Sequence, residues 1–271
     1  MRDLVLLLLL TIIFSGCSDG AGSGLAGTGV SGSTARFAVV GDYLYVLNKF
    51  DDKREVEASD RTWSTRRLRD SLDTFSLVNP ESPEFKTRLI LESLRPETIY
   101  PVGANLFLGT DSGMMIISIE EPSEPLSLSF TGHFTARDPV VVSGDRAYVT
   151  LRTSEKNKFS SAVNELQIYD IRNLDMPTLI NTFQMTSPWG LGVQHDRAYI
   201  CDGSSGLRVL NVADPQLIEE VAVVNTDICF DVVITQKSVI STGLSGINQY
   251  KIDADTAAPS LLSTIALAQP K

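Results

Sequence analysis

Residues 140–151 read VVVSGDRAYVTL: an apolar run, a polar turn, then a second strand carrying an aromatic. The same pattern recurs four more times. It is FAVVGDYLYVLN at 37–48, IYPVGANLFLGT at 99–110, LGVQHDRAYICD at 191–202 and VVITQKSVISTG at 232–243. The turns fall at Gly41, Gly103, Gly144, His195 and Gln236, spaced by 62, 41, 51 and 41 residues. A second element follows each copy: a period-two apolar strand, a turn of Pro, Asp or Asn, and another apolar strand. Its copies include LQIYDIRNLDMPTLI at 166–180 and LRVLNVADPQLIEEV at 207–221. Pro83, Pro125, Pro177, Ile218 and Pro259 align, spaced by 42, 52, 41 and 41 residues. The unit is about 41 residues long and holds four short strands, A to D, with insertions in the first and third copies. Units of about 40–45 residues with four strands each are the signature of propeller blades. The expected fold is all-β, a five-bladed β-propeller of four-stranded antiparallel blades over residues 35–271. A pair of β-sandwiches would not produce so regular a spacing.

Copy four, DRAYICDGSSGLRVLNVADPQLIEEV, is similar to the LVIVD repeat of bacterial and archaeal surface proteins. The repeat's strand motif, LxVxDVxDP, is matched by Leu207, Val209, Val212, Asp214 and Pro215, with Asn211 at the first Asp. That Asp is kept as Asp170 in copy three, whereas Ser118 and Lys251 fill the slot in copies two and five. The resemblance implies a propeller at a cell surface and implies no particular activity.

The segment before the repeats reads as an address. Arg2 precedes an eleven-residue apolar run, Leu4 to Phe14. A bilayer span needs about 20 apolar residues, so the run has the length of a signal-peptide core. Phe14-Ser15-Gly16-Cys17 then resembles the lipobox of bacterial lipoproteins, in which the cysteine is lipidated. The expected division is a signal peptide at 1–16 and a lipid-anchored tether at 17–34. The tether is mostly Gly, Ser, Ala and Thr, too polar and small to form a core. Ser18, after the cysteine, resembles the Gram-negative signal for the outer membrane. The expected location is the cell envelope, held to the membrane through Cys17.

Composition narrows the partners. Of 271 residues, 23 are Lys or Arg and 33 are Asp or Glu, a net charge of −10. A nucleic-acid binder needs a basic face, so nucleic acid is excluded. Two His and three Cys give little for a His/Cys metal centre, and neither metal nor cofactor is expected. The repeats hold no GxSxG elbow and no P-loop.

Propeller topology places the remaining candidates. Strand A lines the channel, so B–C loops and D–A linkers share one rim, and A–B and C–D turns share the other. Both insertions, 49–72 and 152–165, fall in B–C loops, which makes that rim the expected working face. The first insertion is mixed in charge, with Trp63 as a possible anchor and Arg66 among its bases. Other polar residues expected on this rim are His133, Arg137, Asp138, Arg152, Trp189, Asp202 and Asp231. Their aspartates could equally serve turns by bonding backbone N–H groups. Cys201 and Cys229 end strand B and begin strand A of adjacent blades, and are read either as two buried thiols or as a disulfide. The function expected is a binding or scaffolding module for a protein or glycan. The alternative is a carbohydrate-active or other hydrolytic enzyme at the channel mouth, with no catalytic residue marked.

Overall fold

The computed structural model describes residues 34–48, 69–92, 94–132, 139–153, 163–252 and 258–266. Blade one is β1 (Phe37–Val40), β2 (Tyr43–Asn48), β3 (Ser71–Ser76) and β4 (Glu84–Ile90). Blade two is β5 (Pro96–Val102), β6 (Asn105–Thr110), β7 (Gly113–Ser118) and β8 (Leu126–Gly132). Blade three is β9 (Val140–Ser143), β10 (Arg146–Arg152), β11 (Asn164–Asp170) and β12 (Thr178–Gln184). Blade four is β13 (Leu191–Gln194), β14 (Arg197–Cys201), β15 (Leu207–Asn211) and β16 (Glu219–Val224). Blade five is β17 (Cys229–Ile234), β18 (Ser238–Gly243), β19 (Gly246–Lys251) and β20 (Ser260–Ala266).

Each blade is one antiparallel sheet in A-B-C-D order, as the repeats predict. The first strands pack on one another from blade one through blade five, β1 on β5, β5 on β9, β9 on β13 and β13 on β17. In blades one to four the A–B pairs close through two-residue turns, with Val40 opposite Tyr43 and Ser143 opposite Arg146; blade five uses four residues, between Ile234 and Val239. The first turn residue takes a left-handed φ, 58° at Gly144, which glycine adopts without a Cβ clash. The register of strand D slips at one equivalent place in every blade. The slips fall at Thr74/Phe75, Ile116/Ile117, Ile168/Tyr169, Val209/Leu210 and Gln249/Tyr250. A bulge there increases the local twist of each sheet.

Packing between blades rests on one strand-B position, four residues beyond the turn. Tyr45, Phe107, Tyr148 and Tyr199 occupy it in blades one to four, and all are buried. Each faces the next blade. Tyr45 packs with Leu106 and Ile117, Tyr148 with Leu191 and Leu210, and Tyr199 with Val232 and Val239. The Tyr45 hydroxyl also donates to the Pro122 carbonyl of blade two at 2.9 Å. Burial pushes the Tyr45, Tyr148 and Tyr199 phenols above their ordinary range, so they remain neutral.

The described residues form four inter-blade cores, at the first four seams. The seam between blades five and one differs. On blade five's face toward blade four, Val232 is 1% exposed; its counterpart on blade one, Phe37, is 61% exposed. Val39, counterpart of Ile234, is 47% exposed. Blade five places Ile240 at the aromatic position, half-buried, and every residue of β20 is exposed. Thr34 Oγ1 donates to Asp231 Oδ2 at 2.6 Å, so the two blades meet at one inner edge. The ring is thus drawn together there, while its last two apolar faces are not packed together.

This asymmetry has a measurable consequence. Leu106→Ala, within the first seam, should cost about 2–5 kcal/mol in urea unfolding. Phe37→Ser should change stability by no more than about 0.5 kcal/mol. Equal costs at the two positions would mean that the last seam packs like the others.

Candidate functional site at the insertion-bearing rim

The rim that carries the B–C loops is organised around blade four. Its D–A linker, Thr186 to Gly190, is held by a buried carboxylate. Asp202 is fully buried and accepts the Thr186 N–H at 3.0 Å and the Ser187 N–H at 2.6 Å. Arg208 Nη1 donates to the same carboxylate at 3.0 Å and spans to Glu220. Three donors compensate a charge that would otherwise be costly to bury. Asp202 therefore does not face a ligand. It lies on the rim and serves the backbone N–H groups beside it, the structural role that the sequence also allowed.

Next to Asp202, Cys201 and Cys229 are joined by a disulfide, with Cα atoms 4.9 Å apart. The thiol reading of this pair gives way to the bonded one. The bridge ties the end of β14 to the start of β17. Gly203 adds a backbone bridge to Cys229.

Trp189 connects three blades. Its N–H donates to the Cys201 carbonyl at 2.7 Å, and its carbonyl accepts from Thr150 Oγ1 of blade three at 2.8 Å. The guanidinium of Arg152 lies 3.5 Å from the indole centroid, a close cation–π contact. Phe230 meets the ring edge-on, with centroids 5.2 Å apart. The indole is thus packed between Arg152 and blade five. It acts as a support for Arg152 more than as an open platform. Gly190 follows because a Cβ there would lie 2.0 Å from Asp231 Oδ1. Asp231 is placed by this close approach and by its bond to Thr34.

These residues surround a cavity of about 210 Å³. Blade one supplies Thr34 and Arg36, blade two Glu97 and Thr98, blade three Arg152, and blade four Trp189. They stand at the beginnings of strands A or at the end of a strand B, where the channel opens on this rim. Two guanidinium groups and one carboxylate on a partly apolar lining suit a small polar ligand. Arg152 and Trp189 thus line one mouth, which Asp231 borders through its bond to Thr34. Trp63, Arg66, His133, Arg137 and Asp138 lie outside the described residues, as do Cys17 and the segments expected as signal peptide and tether up to residue 33. The sequence reading missed Thr34, Arg36 and Glu97. Their shared position, at the entry to strand A, was the available signal. No group of three or more His, Cys, Asp or Glu among the described residues could hold a metal ion. No helix among them is long and apolar enough to cross a membrane.

No protein-family model and no curated protein matches the chain. Solved structures do match in fold. A functionally unknown protein from Desulfotomaculum acetoxidans superposes with a TM-score of 0.64 at 12% identity, covering 86% of this chain and 69% of that one. The periplasmic gluconolactonase PpgL of Pseudomonas aeruginosa gives 0.60 at 12% identity, covering 84% and 68%. A protein from Lactobacillus plantarum gives 0.61 at 11% identity, covering 83% and 68%. At this identity the likeness is one of fold, and with it the chain is an all-β propeller of five four-stranded antiparallel blades.

The rim's rigidity can be tested through its two anchors. Replacing both Cys201 and Cys229 by Ala should lower stability by about 3 kcal/mol, the value for a loop of this length. Asp202→Ala should cost about 3–5 kcal/mol, because Arg208 then loses its buried partner. Both are read by equilibrium urea unfolding.

Proposed function

We propose that the protein is an exported, lipid-anchored propeller of the LVIVD-like kind. Its role is to bind a protein or glycan at the channel mouth of the insertion-bearing rim. The observation that carries this reading is the mouth cavity itself. Four blades contribute to it, and it lies on the rim where both long insertions leave the repeat. Such a site is what a rigid propeller offers a partner: polar groups fixed on strand ends, with variable loops around them. Arg36 and Arg152 suit carboxylate or sulfate groups, and Glu97 and Thr98 suit hydroxyls. The lipobox-like segment at Cys17 supports a place at the membrane, and the acidic body supports a partner other than nucleic acid.

A second reading is a hydrolase acting on a sugar lactone at the same mouth. Glu97 beside two guanidinium groups favours it, and a fold neighbour is named a gluconolactonase. In that reaction Glu97 would take a proton from water as the water adds to the lactone carbonyl. The ring C–O bond would break, and the proton would pass to the leaving oxygen. The arginines would hold the developing negative charge.

One set of proteins separates the two. Wild type should retain a glycan on an array that the Arg36→Gln/Glu97→Gln double variant loses by about tenfold or more. It should also leave glucono-δ-lactone hydrolysis, followed by pH-stat, at the buffer rate. Lactone turnover that disappears in Glu97→Gln would favour the hydrolase. A blank array with no turnover would count against both. Separately, Cys17→Ala should release the protein from membranes on fractionation, and continued membrane association would remove the anchor from the proposal.

A further inference from the structure

A larger concavity lies on the opposite rim, between blades four and five, with a volume of about 780 Å³. We propose that it is a binding site for a small organic anion, a phosphate or carboxylate joined to an apolar body. The negative group would meet Arg197, Lys237 and Lys251. The body would lie on Tyr199, Ile252 and Leu262, which form the apolar part of the lining.

Charge is the first argument. The protein carries a net −10, yet this groove gathers three cations against one lining carboxylate, Asp196. Several cations elsewhere are matched by acids. Arg88 pairs with Asp73, Arg172 with Asp170, Lys86 with Glu84, and Arg208 with Asp202 and Glu220. Among the described residues, Lys237 and Lys251 form no ion pair, and Arg197 bonds only neutral acceptors. Its Nη1 donates to Asn211 Oδ1 at 2.6 Å and to the Asp196 carbonyl at 3.0 Å. Those bonds fix the guanidinium in place without neutralising it, and its Nε is buried with no acceptor among the described residues. A held guanidinium flanked by two lysines is an anion receptor by geometry and charge.

The second argument is the backbone. His195 lines the groove with φ at 52°, in the turn position where blades one to three have glycine at 55–58°. A side chain is thus carried at a position where glycine avoids strain, and such exceptions gather at functional sites. The third argument is the lining. Leu262 is 55% exposed on the groove wall, and Tyr199 forms part of its floor. The volume lies within the range of small-molecule sites. The mouth cavity contributes no residue here, so the two proposals stand or fall separately.

Calorimetry on the unlipidated full chain (Cys17→Ala) tests the site with 1-naphthyl phosphate, 1-naphthol and inorganic phosphate. Naphthyl phosphate should bind at least about tenfold more tightly than either of the others. Lys237→Gln/Lys251→Gln should weaken it by about tenfold or more, with an unchanged melting curve, because both lysines are exposed. Phe37→Ser, in the open seam, should leave binding unchanged. Equal affinity for naphthol and naphthyl phosphate would overturn the proposal, as would binding insensitive to the lysine pair. Phosphatidylcholine vesicles with and without phosphatidic acid distinguish the source of the anion. Lysine-dependent sedimentation with phosphatidic acid assigns a lipid headgroup; naphthyl phosphate binding without it assigns a soluble anion.

Discussion

Everything in this molecule depends on sheets that are apolar on both faces. A single blade of this kind cannot hide its second face, so it requires a neighbour on each side. The strand-B aromatic supplies the main contact: Tyr45, Phe107, Tyr148 and Tyr199 each fill the gap to the following sheet. Truncating such a side chain costs several kcal/mol in a well-packed core, so four such seams amount to most of a domain's net stability. Five sheets in a row make four seams. The fifth must come from bringing the last sheet against the first, and here Ile240 stands in place of the aromatic while Phe37 and Val39 remain exposed.

The rim chemistry compensates for that weak point. The Thr34–Asp231 hydrogen bond joins the outer blades at the inner edge, and the Cys201–Cys229 bridge fastens blade five to blade four. Trp189 extends the same support into blade three through Thr150 and Arg152. Thr34, Arg152 and Trp189, which line the mouth cavity, thus also take part in the contacts that hold the last blades in register. The proposed binding role would share residues with stability on this face, so a ligand bridging Arg36 and Trp189 would tie the first blade to the fourth.

The strands and turns were legible in the sequence because their signals are local. Alternation, the Gly-Asp turns and the C–D prolines each fix a few neighbouring residues, and the repeat supplied five readings of every signal. What a side chain faces across a seam is not local. Asp202 and Asp231 look alike in sequence, both beside strand ends, yet one is sealed beneath Thr186, Ser187 and Arg208 while the other reaches Thr34, nearly two hundred residues away. Glu97 and Arg36 meet at the mouth only because blades one and two are adjacent. The disulfide was open for the same reason: strand ends gave similar heights, and the distance between blades decided the bond.

The two rims differ in what their residues are free to do. At the mouth, Arg152 lies on Trp189 and the carboxylate of Asp231 holds Thr34, so much of the polar chemistry is already engaged in structure. On the opposite rim, the turn bearing His195 and the lysines of blade five hold no blade to its neighbour by an ion pair among the described residues. In blades one and three the corresponding turns are compact Gly-Asp pairs whose Asp carbonyls accept the N–H groups of Leu77 and Ile171. Blade four keeps that bond, from Val212 to Asp196, and so retains the turn's structural function while changing its first residue to histidine. The structural requirement is met by the Asp196 backbone alone. Arg197 is held there by neutral acceptors, and Lys237 and Lys251 form no ion pair among the described residues, so this rim of an acidic protein keeps a positive cluster that no carboxylate of the blade neutralises.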